Sequence, residues 1–138
     1  MMIRLADKSD VSRLVALDKK AHFETKWWMP MKRPAFLKVM KHKDCLFVAE
    51  ENNRIVGYIS GEVSSVRGKK RINLENVFIE KRFRNKGVAK RLVDAFISKW
   101  KERGLKEMVL FCPQRLERFY KKFGFKLTVI RMKLDLKT

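Results

Sequence analysis

The chain has 138 residues, and its 34 Lys and Arg against 15 Asp and Glu give a formal net charge of +19 at pH 7. The length fits one domain, and a hydrophobic content of 46% is far too high for a disordered polycation. The two cysteines, Cys45 and Cys112, exclude a disulfide scaffold, and no apolar stretch is long enough to span a bilayer. The sequence therefore predicts a single folded domain over residues 1–138 with a strongly basic surface.

Charged residues near the N-terminus interrupt the apolar core that an export signal needs, so we expect a cytoplasmic protein without a membrane anchor. No Cys-x-x-Cys or closely spaced histidine pair is present, so we expect no metal site. Gln114 is the only glutamine and 36% of the residues are charged, a bias that is typical of thermostable proteins.

The first third of the chain predicts a short strand followed by two helices. Residues 2–5 form the strand, and Asp7 or Ser9 caps a helix whose apolar residues recur at helical spacing. An irregular segment over 22–33 follows, and Pro34, at a first helical position, opens a second, short helix.

The middle of the chain predicts β structure. Strands over 45–50 and 54–63 flank the turn cluster Glu51-Asn52-Asn53 and form a hairpin. A loose basic loop over 66–70 leads to a third strand over 71–80, in which successive residues alternate between the two faces.

The last third predicts two more helices and two more strands. A long amphipathic helix begins near Val88 and ends at Gly104, a natural C-terminal cap. A buried strand over 107–112 follows, Pro113 opens another helix, and residues 126–136 alternate as a final strand. Together these six strands and four helices predict an α/β (α+β) fold with a mixed central sheet and helices on its faces.

One segment has the features of a ligand-binding site. It is the turn before the long helix, with the sequence Arg84-Asn85-Lys86-Gly87-Val88-Ala89. A strand, a tight glycine-containing turn and a helix N-terminus bring free backbone N–H groups and the positive end of the helix dipole to one point. Gly87 allows a ligand to approach closely, and the surrounding Lys and Arg side chains raise the local potential. The segment predicts a pyrophosphate site; the alternative is a solvated basic helix start whose glycine only closes the turn.

The same hexapeptide resembles the Arg/Gln-x-x-Gly-x-Gly/Ala signature of the GNAT superfamily of N-acetyltransferases. Further similar elements follow in the family's order along essentially the whole chain. They are Ile3-Arg4 with Ala6 and Asp10, Ile55-Val56-Gly57-Tyr58, Leu74-Glu75-Asn76-Val77-Phe78-Ile79 and Phe119-Tyr120-Lys121-Lys122-Phe123-Gly124-Phe125. The hexapeptide alone is a weak signal, whereas its combination with the last element at this separation is a strong one.

The resemblance implies a mixed central sheet of six to seven strands flanked by about four helices. It also implies direct transfer of acetyl from acetyl-CoA, the co-substrate, to an amine within a ternary complex. The pantetheine arm would hydrogen-bond the backbone of Val77 and Ile79 like an added strand. The Val77 N–H would also polarise the thioester carbonyl. The pyrophosphate would bind the backbone amides of one loop, formed by Arg84, Asn85, Lys86, Gly87, Val88, Ala89 and Lys90.

Two side chains are candidates for proton transfer. Tyr120 matches the family tyrosine that gives a proton to the leaving thiolate; the alternative is a core tyrosine. Glu75, which alternation places on the same side of its strand as Val77 and Ile79, would accept the amine proton through water. The alternative for Glu75 is a half-exposed carboxylate that pairs with a basic neighbour. Tyr58 is a third polar candidate, near the acceptor end of the site.

The acceptor is less closely defined. Trp27 and Trp28 lie in the irregular segment that usually walls the acceptor site in this superfamily, where they would exclude water from the amine; alternatively they cover the core. A cationic protein disfavours polybasic acceptors, and an α-amine, with a pKa of about 8, is easier to acetylate than lysine at about 10.4. We therefore expect a protein N-terminus or a small amine as the acceptor.

Two other functions stay open at this point. A chain this basic also fits an RNA- or ribosome-binding module that only keeps an acetyltransferase-like fold. Pro113 stands where the family often has Asn, and Leu116 where a small residue is common, which would suit a CoA-binding regulator without turnover. Both a monomer and a homodimer fit the sequence, since the final strand can pair across a dimer in this fold.

Overall fold

The structure, a computed structural model, describes residues 1–25 and 31–137. Its helices are α1 (Val11–Thr25), α2 (Arg33–Met40), α3 (Val88–Glu102) and α4 (Glu117–Lys121). Its strands are β1 (Met2–Leu5), β2 (Leu46–Glu51), β3 (Arg54–Val66), β4 (Lys69–Ile79) and β5 (Met108–Val109). None of the helices within these ranges is long and apolar enough to cross a membrane.

The strands form one sheet in the order β1-β2-β3-β4-β5. Neighbouring strands are antiparallel except for β4 and β5, which run parallel. Helices lie on both faces of the sheet. The predicted mixed α/β fold is therefore confirmed.

Three predicted elements differ from the structure. The basic loop over 66–70 is a two-residue turn between β3 and β4, because Arg67 and Gly68 both adopt the positive φ that the tightest hairpins require. The strand over 107–112 shortens to the two residues of β5, since its pairing with β4 ends there. No strand forms over 126–137, because the alternating segment finds no neighbour to pair with in the described chain. The sheet described here therefore has five strands, fewer than the sequence predicts.

Each face of the sheet carries its own apolar cluster. The α3 face is covered by helix α3, whose buried side chains recur at helical spacing: Val88, Leu92, Val93, Phe96 and Trp100. The α1/α2 face is covered by the other two long helices, around Phe36 and Tyr58, whose rings meet edge to face at 5.7 Å. A glycine lets α3 come close to β3, since a Cβ on Gly61 would lie 2.6 Å from Phe96 Cζ.

A bulge in β4 changes which side chains share a face. Residues 60 and 61 of β3 pair with Asn76 and Leu74, so Glu75 has no partner on β3. As a result Leu74 and Val77, three residues apart, both pack on the α3 face. Glu75 is the extra residue between Leu74 and Asn76, at the point where the alternation of faces is interrupted. The alternation that predicts Glu75 on the same side as Val77 is interrupted by this extra residue, so the side on which Glu75 lies stays a prediction.

Candidate active site

The loop before α3 leaves the first backbone N–H groups of that helix uncapped. Asn85 and Gly87 adopt positive φ angles of 62° and 80°, and α3 starts at Val88. Gly87 is the N-cap, so no side chain caps the helix, and its first turn holds no acidic residue. A Cβ on Gly87 would meet no heavy atom within 4 Å, so the space at the loop is open. This arrangement suits an anionic group such as a phosphate.

Cationic side chains brace this loop as well as charging it. Arg84 Nε donates to the carbonyl oxygen of Ile79 at 2.9 Å, and the Arg84 guanidinium lies 5.3 Å from the Phe78 ring centre. Lys86 Nζ lies 5.7 Å from the centre of the Phe83 ring. The Arg84 contacts hold the loop against the end of β4. The uncapped backbone N–H groups at the start of α3 remain available as donors toward a ligand.

The β4 strand has a free edge beyond β5. The two strands pair only at Ile72 with Met108 and at Asn73 with Val109. Where the pairing ends, the strands enclose a cavity of about 130 Å³. It is lined by residues of both strands and the segment after β5: Asn73, Leu74, Glu75, Val109, Leu110 and Phe111.

The β3 pairing determines which backbone groups of β4 point to the free edge. The Glu80 N–H donates to the Val56 carbonyl at the start of β3, at 2.8 Å. In an antiparallel pair, residues that bond the neighbouring strand alternate with residues whose N–H and C=O point the other way. Because Glu80 and hence Phe78 face β3, the backbone groups of Val77 and Ile79 face the free edge. An extended ligand arm can bond there as an added strand would.

Two carboxylates, Glu75 and Glu62, lie near this edge and act on each other electrostatically. Glu75 is the bulge residue and lines the cavity. Glu62 of β3 lies on the α1/α2 face, because a Cβ on the preceding residue, Gly61, would point at Phe96 on the α3 face. Partial burial and, second, the charge of Glu62 raise the pKa of Glu75 above its ordinary value. A carboxylate with a raised pKa is a stronger proton acceptor.

Tyr120 on α4 packs in the same apolar cluster as β4 and is only 8% exposed. Its ring meets those of Phe119 and Phe125 edge to face, at centroid distances of 5.0 and 5.8 Å. Burial, with a smaller contribution from nearby Cys112, raises the pKa of Tyr120 to about 12. The hydroxyl is therefore protonated at neutral pH, the state that a proton donor needs.

Tyr58 lies inside the α1/α2 cluster with no exposed surface. Its hydroxyl donates to the buried carboxylate of Asp18, which also accepts from the Met31 N–H at 2.6 Å. Burial and this carboxylate raise the pKa of Tyr58 far above its ordinary value. Since the hydroxyl is held in the core, a contact between Tyr58 and an acceptor stays a prediction. Trp27 and Trp28 lie outside the described residues, so the acceptor wall stays a prediction as well.

Sequence reasoning missed Glu62 and Asp18 as members of this region. Alternation along β3 carries a signal for Glu62, because the polar residues at 60, 62 and 64 fall on one face. Asp18 stands among the apolar positions of α1, where a buried carboxylate signals a hydrogen-bond partner elsewhere in the chain.

The mixed sheet, the uncapped helix N-terminus and the free strand edge suit a protein that binds an extended anionic cofactor. Residues 42–127 match the family described as Acetyltransferase (GNAT) domain, which is more than half of the chain. The chain therefore belongs to the GNAT acetyltransferase family, and the resemblance found in the sequence is confirmed.

Solved structures share this fold over nearly the whole chain. A transcriptional regulator from Bacillus halodurans C-125 is 26% identical, with a TM-score of 0.76 over 98% of this chain and 99% of that chain. A predicted acetyltransferase from Clostridium acetobutylicum, solved with acetyl-CoA, is 24% identical, with a TM-score of 0.76 over 98% and 96%. Glucosamine-6-phosphate N-acetyltransferase from Arabidopsis thaliana is 22% identical, with a TM-score of 0.74 over 99% and 98%. No curated protein matches the sequence.

Proposed function

We propose that this protein transfers acetyl from acetyl-CoA directly to the nitrogen of an amine acceptor. The observation that carries the proposal is the continuity of two ligand surfaces, an uncapped helix N-terminus at Gly87 and the free edge of β4. The first fits the pyrophosphate of CoA and the second fits its pantetheine arm. Membership of the GNAT acetyltransferase family supports the same reading.

The helix N-terminus at Gly87 and the free edge of β4 determine how acetyl-CoA lies on the protein. The pyrophosphate binds the backbone N–H groups of the loop over 84–90, and the pantetheine arm follows β4 toward the cavity. The Val77 N–H, which points to the free edge, bonds the arm or the thioester carbonyl as its oxygen gains negative charge. The acetyl group then reaches the cavity that Glu75 lines.

Proton transfer completes the reaction. The neutral amine nitrogen attacks the thioester carbonyl carbon, a carbon–nitrogen bond forms, and the carbon–sulfur bond breaks. The amine proton passes through water to Glu75, whose raised pKa favours accepting it. The departing thiolate takes the proton of the Tyr120 hydroxyl.

For the acceptor, we favour a protein N-terminus or a small amine. The strongly cationic surface repels polybasic peptides, while Glu62 and Glu75 offer negative charge at the site itself. An acceptor with a single amine avoids repulsion by the cationic surface and can still be attracted by these two carboxylates. A mass-spectrometric acceptor screen should therefore show acetylated α-amines or small amines; a preference for polybasic lysine peptides would contradict this choice.

Thermal unfolding tests the cofactor site. Acetyl-CoA at 100 times its Kd should stabilise the protein by about 2.7 kcal/mol, a rise in Tm of roughly 8 °C. In Gly87→Asp the new carboxylate enters the open space at the loop and repels the pyrophosphate, so most of this shift should disappear. Gly104→Asp is the matched control, because Gly104 also has a positive φ and open space but lies at the other end of α3.

A polyphosphate of equal charge, at equal ionic strength, decides between a cofactor site and a polyanion site. A shift with acetyl-CoA alone supports the acetyltransferase. If both ligands raise the Tm equally and Gly87→Asp does not change these rises, the acetyltransferase proposal is overturned. The RNA- or ribosome-binding alternative is then favoured.

A pH profile tests the two carboxylates. If Glu75 is the base, its pKa sets the acid limb of the kcat/KM profile, and activity rises with pH as Glu75 loses its proton. Glu62→Gln removes a charge that raises this pKa, so the limb should move to lower pH. Glu51→Gln makes the same change at the end of β2, outside the residues that line the cavity, and serves as the control. An unmoved limb in Glu62→Gln would exclude this coupling.

A further inference from the structure

The hairpin of β3 and β4 extends beyond the rest of the sheet. The pairing of β2 with β3 ends at Ser60, and β5 pairs with β4 only at Ile72 and Asn73. Three pairs of residues lie beyond this point, and they are Ser64 with Arg71, Ser65 with Lys70 and Val66 with Lys69. Within the described chain, residues 64–71, which we call the arm, therefore form a two-stranded ribbon with both edges free.

The arm carries four cationic residues and no acidic residue. The cations are Arg67, Lys69, Lys70 and Arg71. Arg71 forms an ion pair with Glu107, at 3.6 Å. The other three are exposed and form no ion pair with any part of the chain that the structure describes. Three uncompensated charges so close together create a positive potential that attracts a polyanion.

The tip of the arm is narrow. Arg67 and Gly68 form a two-residue turn, with φ angles of 53° and 79°. The two strands lie about 4.8 Å apart, and three residues of each strand extend about 10 Å from the sheet to the turn. The major groove of B-form DNA is about 12 Å wide and about 8.5 Å deep, and it admits a two-stranded ribbon. The arm therefore has the width and the length to enter this groove.

The end of the sheet from which the arm extends is cationic as well. On one side, the exposed Lys43 precedes by two residues the carbonyl that accepts from the Gly61 N–H at 2.9 Å. On the other side, the exposed Lys106 directly precedes the carbonyl that accepts from the Ile72 N–H at 3.1 Å. Glu62 lies at the base of the arm, away from the tip. The two lysines can contact the phosphates that border a groove holding the arm.

We propose that the arm enters the major groove of double-stranded DNA, and that its cations contact the phosphates on both sides of that groove. Lys69 and Lys70 are successive residues of β4, so their side chains point to opposite faces of the ribbon. Each can therefore reach a different strand of the duplex. Arg67, in the turn, enters the groove first. This binding is separate from acetyl transfer and does not depend on it.

Duplex DNA fits the arm better than other polyanions do. In A-form RNA the major groove is deep and narrow, so a two-stranded ribbon does not enter it. A single polyphosphate chain offers negative charge along one line only, whereas the two borders of the DNA groove lie about 12 Å apart. Val66, beside the turn, is 44% exposed, and an apolar side chain can contact the methyl group of thymine in this groove.

Fluorescence anisotropy of a labelled DNA duplex of about 20 base pairs, titrated with the nuclease-treated full chain at about 0.1 M salt, measures the binding. The arm variant combines Arg67→Gln, Lys69→Gln and Lys70→Gln. It should bind the duplex at least about tenfold more weakly than the wild type. The slope of log Kd against log salt should fall by about 2.7, because each phosphate contact contributes about 0.9.

A matched control separates the arm from net charge. The control variant removes three charges from exposed lysines on other elements, with Lys8→Gln, Lys19→Gln and Lys122→Gln. Its net charge equals that of the arm variant, and it should bind DNA within about threefold of the wild type. Thermal unfolding checks the fold of both variants. Equal weakening in the two variants would overturn the proposal, because only net charge would then matter.

Two further measurements test the groove. The DNA duplex should bind at least about tenfold more tightly than an RNA duplex of the same sequence. The wild type should displace methyl green, a dye of the major groove, and leave netropsin, a ligand of the minor groove, in place. Displacement of netropsin alone would contradict entry of the arm into the major groove. Equal affinity for the RNA duplex would also overturn the proposal, and it would favour the RNA-binding alternative.

Discussion

Tyr120→Phe is expected to lower kcat about 10²-fold and to leave the KM for acetyl-CoA nearly unchanged. The ring keeps its edge-to-face contacts with Phe119 and Phe125, so the fold is preserved. Only the hydroxyl proton, which the thiolate needs as it departs, is lost. Because the pKa of Tyr120 is about 12, its ionisation contributes no fall in activity across the neutral range. A fall in kcat without a change in KM is the signature of an interaction made in the transition state.

Steady-state release of the CoA thiol measures this effect, and thermal unfolding of the same variant checks the fold. Tyr58→Phe is the informative contrast, since it removes the other tyrosine hydroxyl in the chain. That change deprives the buried Asp18 carboxylate of a donor and should lower the free energy of unfolding by about 1–3 kcal/mol. If Tyr120→Phe keeps kcat within about threefold of the wild type, Tyr120 is a core tyrosine and the acid lies elsewhere.

Asp10→Asn is expected to lower the free energy of unfolding at pH 7 by about 3 kcal/mol. Asp10 has no exposed surface, and its carboxylate accepts from both terminal nitrogens of Arg4, at 2.8 and 2.9 Å, from Arg13 at 3.0 Å and from the Asp7 N–H at 2.9 Å. The asparagine side chain of this variant would carry no negative charge to balance the guanidinium groups of Arg4 and Arg13. Its NH2 group would also face one of these guanidinium groups, and both are hydrogen-bond donors. Arg4 keeps a second partner in Glu50, which limits the loss.

The pH dependence of this effect has a definite sign. Hydrogen bonds from Arg4 hold the pKa of Asp10 below its ordinary value of 3.8, so the stabilisation is present above that value and is lost as pH falls through the folded-state pKa. The difference between wild type and Asp10→Asn should therefore be full at pH 7 and shrink below about pH 4. Urea unfolding measures it. Asp7→Asn makes the same change at a largely exposed carboxylate and should stay within about 0.5 kcal/mol of the wild type; an equal loss in both variants would contradict the assignment to the buried pair.

The conformation of the loop before α3 and of the amphipathic helix after it could be predicted from the sequence, because both depend on residues close together in the chain. Gly87 favours the positive φ that starts α3, and the apolar spacing from Val88 to Trp100 fixes which side of the helix is buried. The turn at Asn52 and Asn53 is similar, since both residues adopt the positive φ that a two-residue hairpin requires. Local sequence therefore determined the family and half of the candidate site.

The rest of the candidate site depends on pairing between segments that are distant in the sequence. The break in alternation at Glu75 is the β4 bulge, which exists only in the register with β3, and the direction of the Val77 N–H toward the free edge follows from the same pairing. The bond between Tyr58 and Asp18 joins residues 40 positions apart, so no local pattern announces it. The segment over 126–136 shows that alternation alone is not enough. Its sequence predicts a strand, but no strand forms in the described chain because no other strand lies beside it. The sequence by itself thus determined which residues prefer which local conformation, and only the tertiary structure decided which of them meet, because register and edge are properties of two segments together.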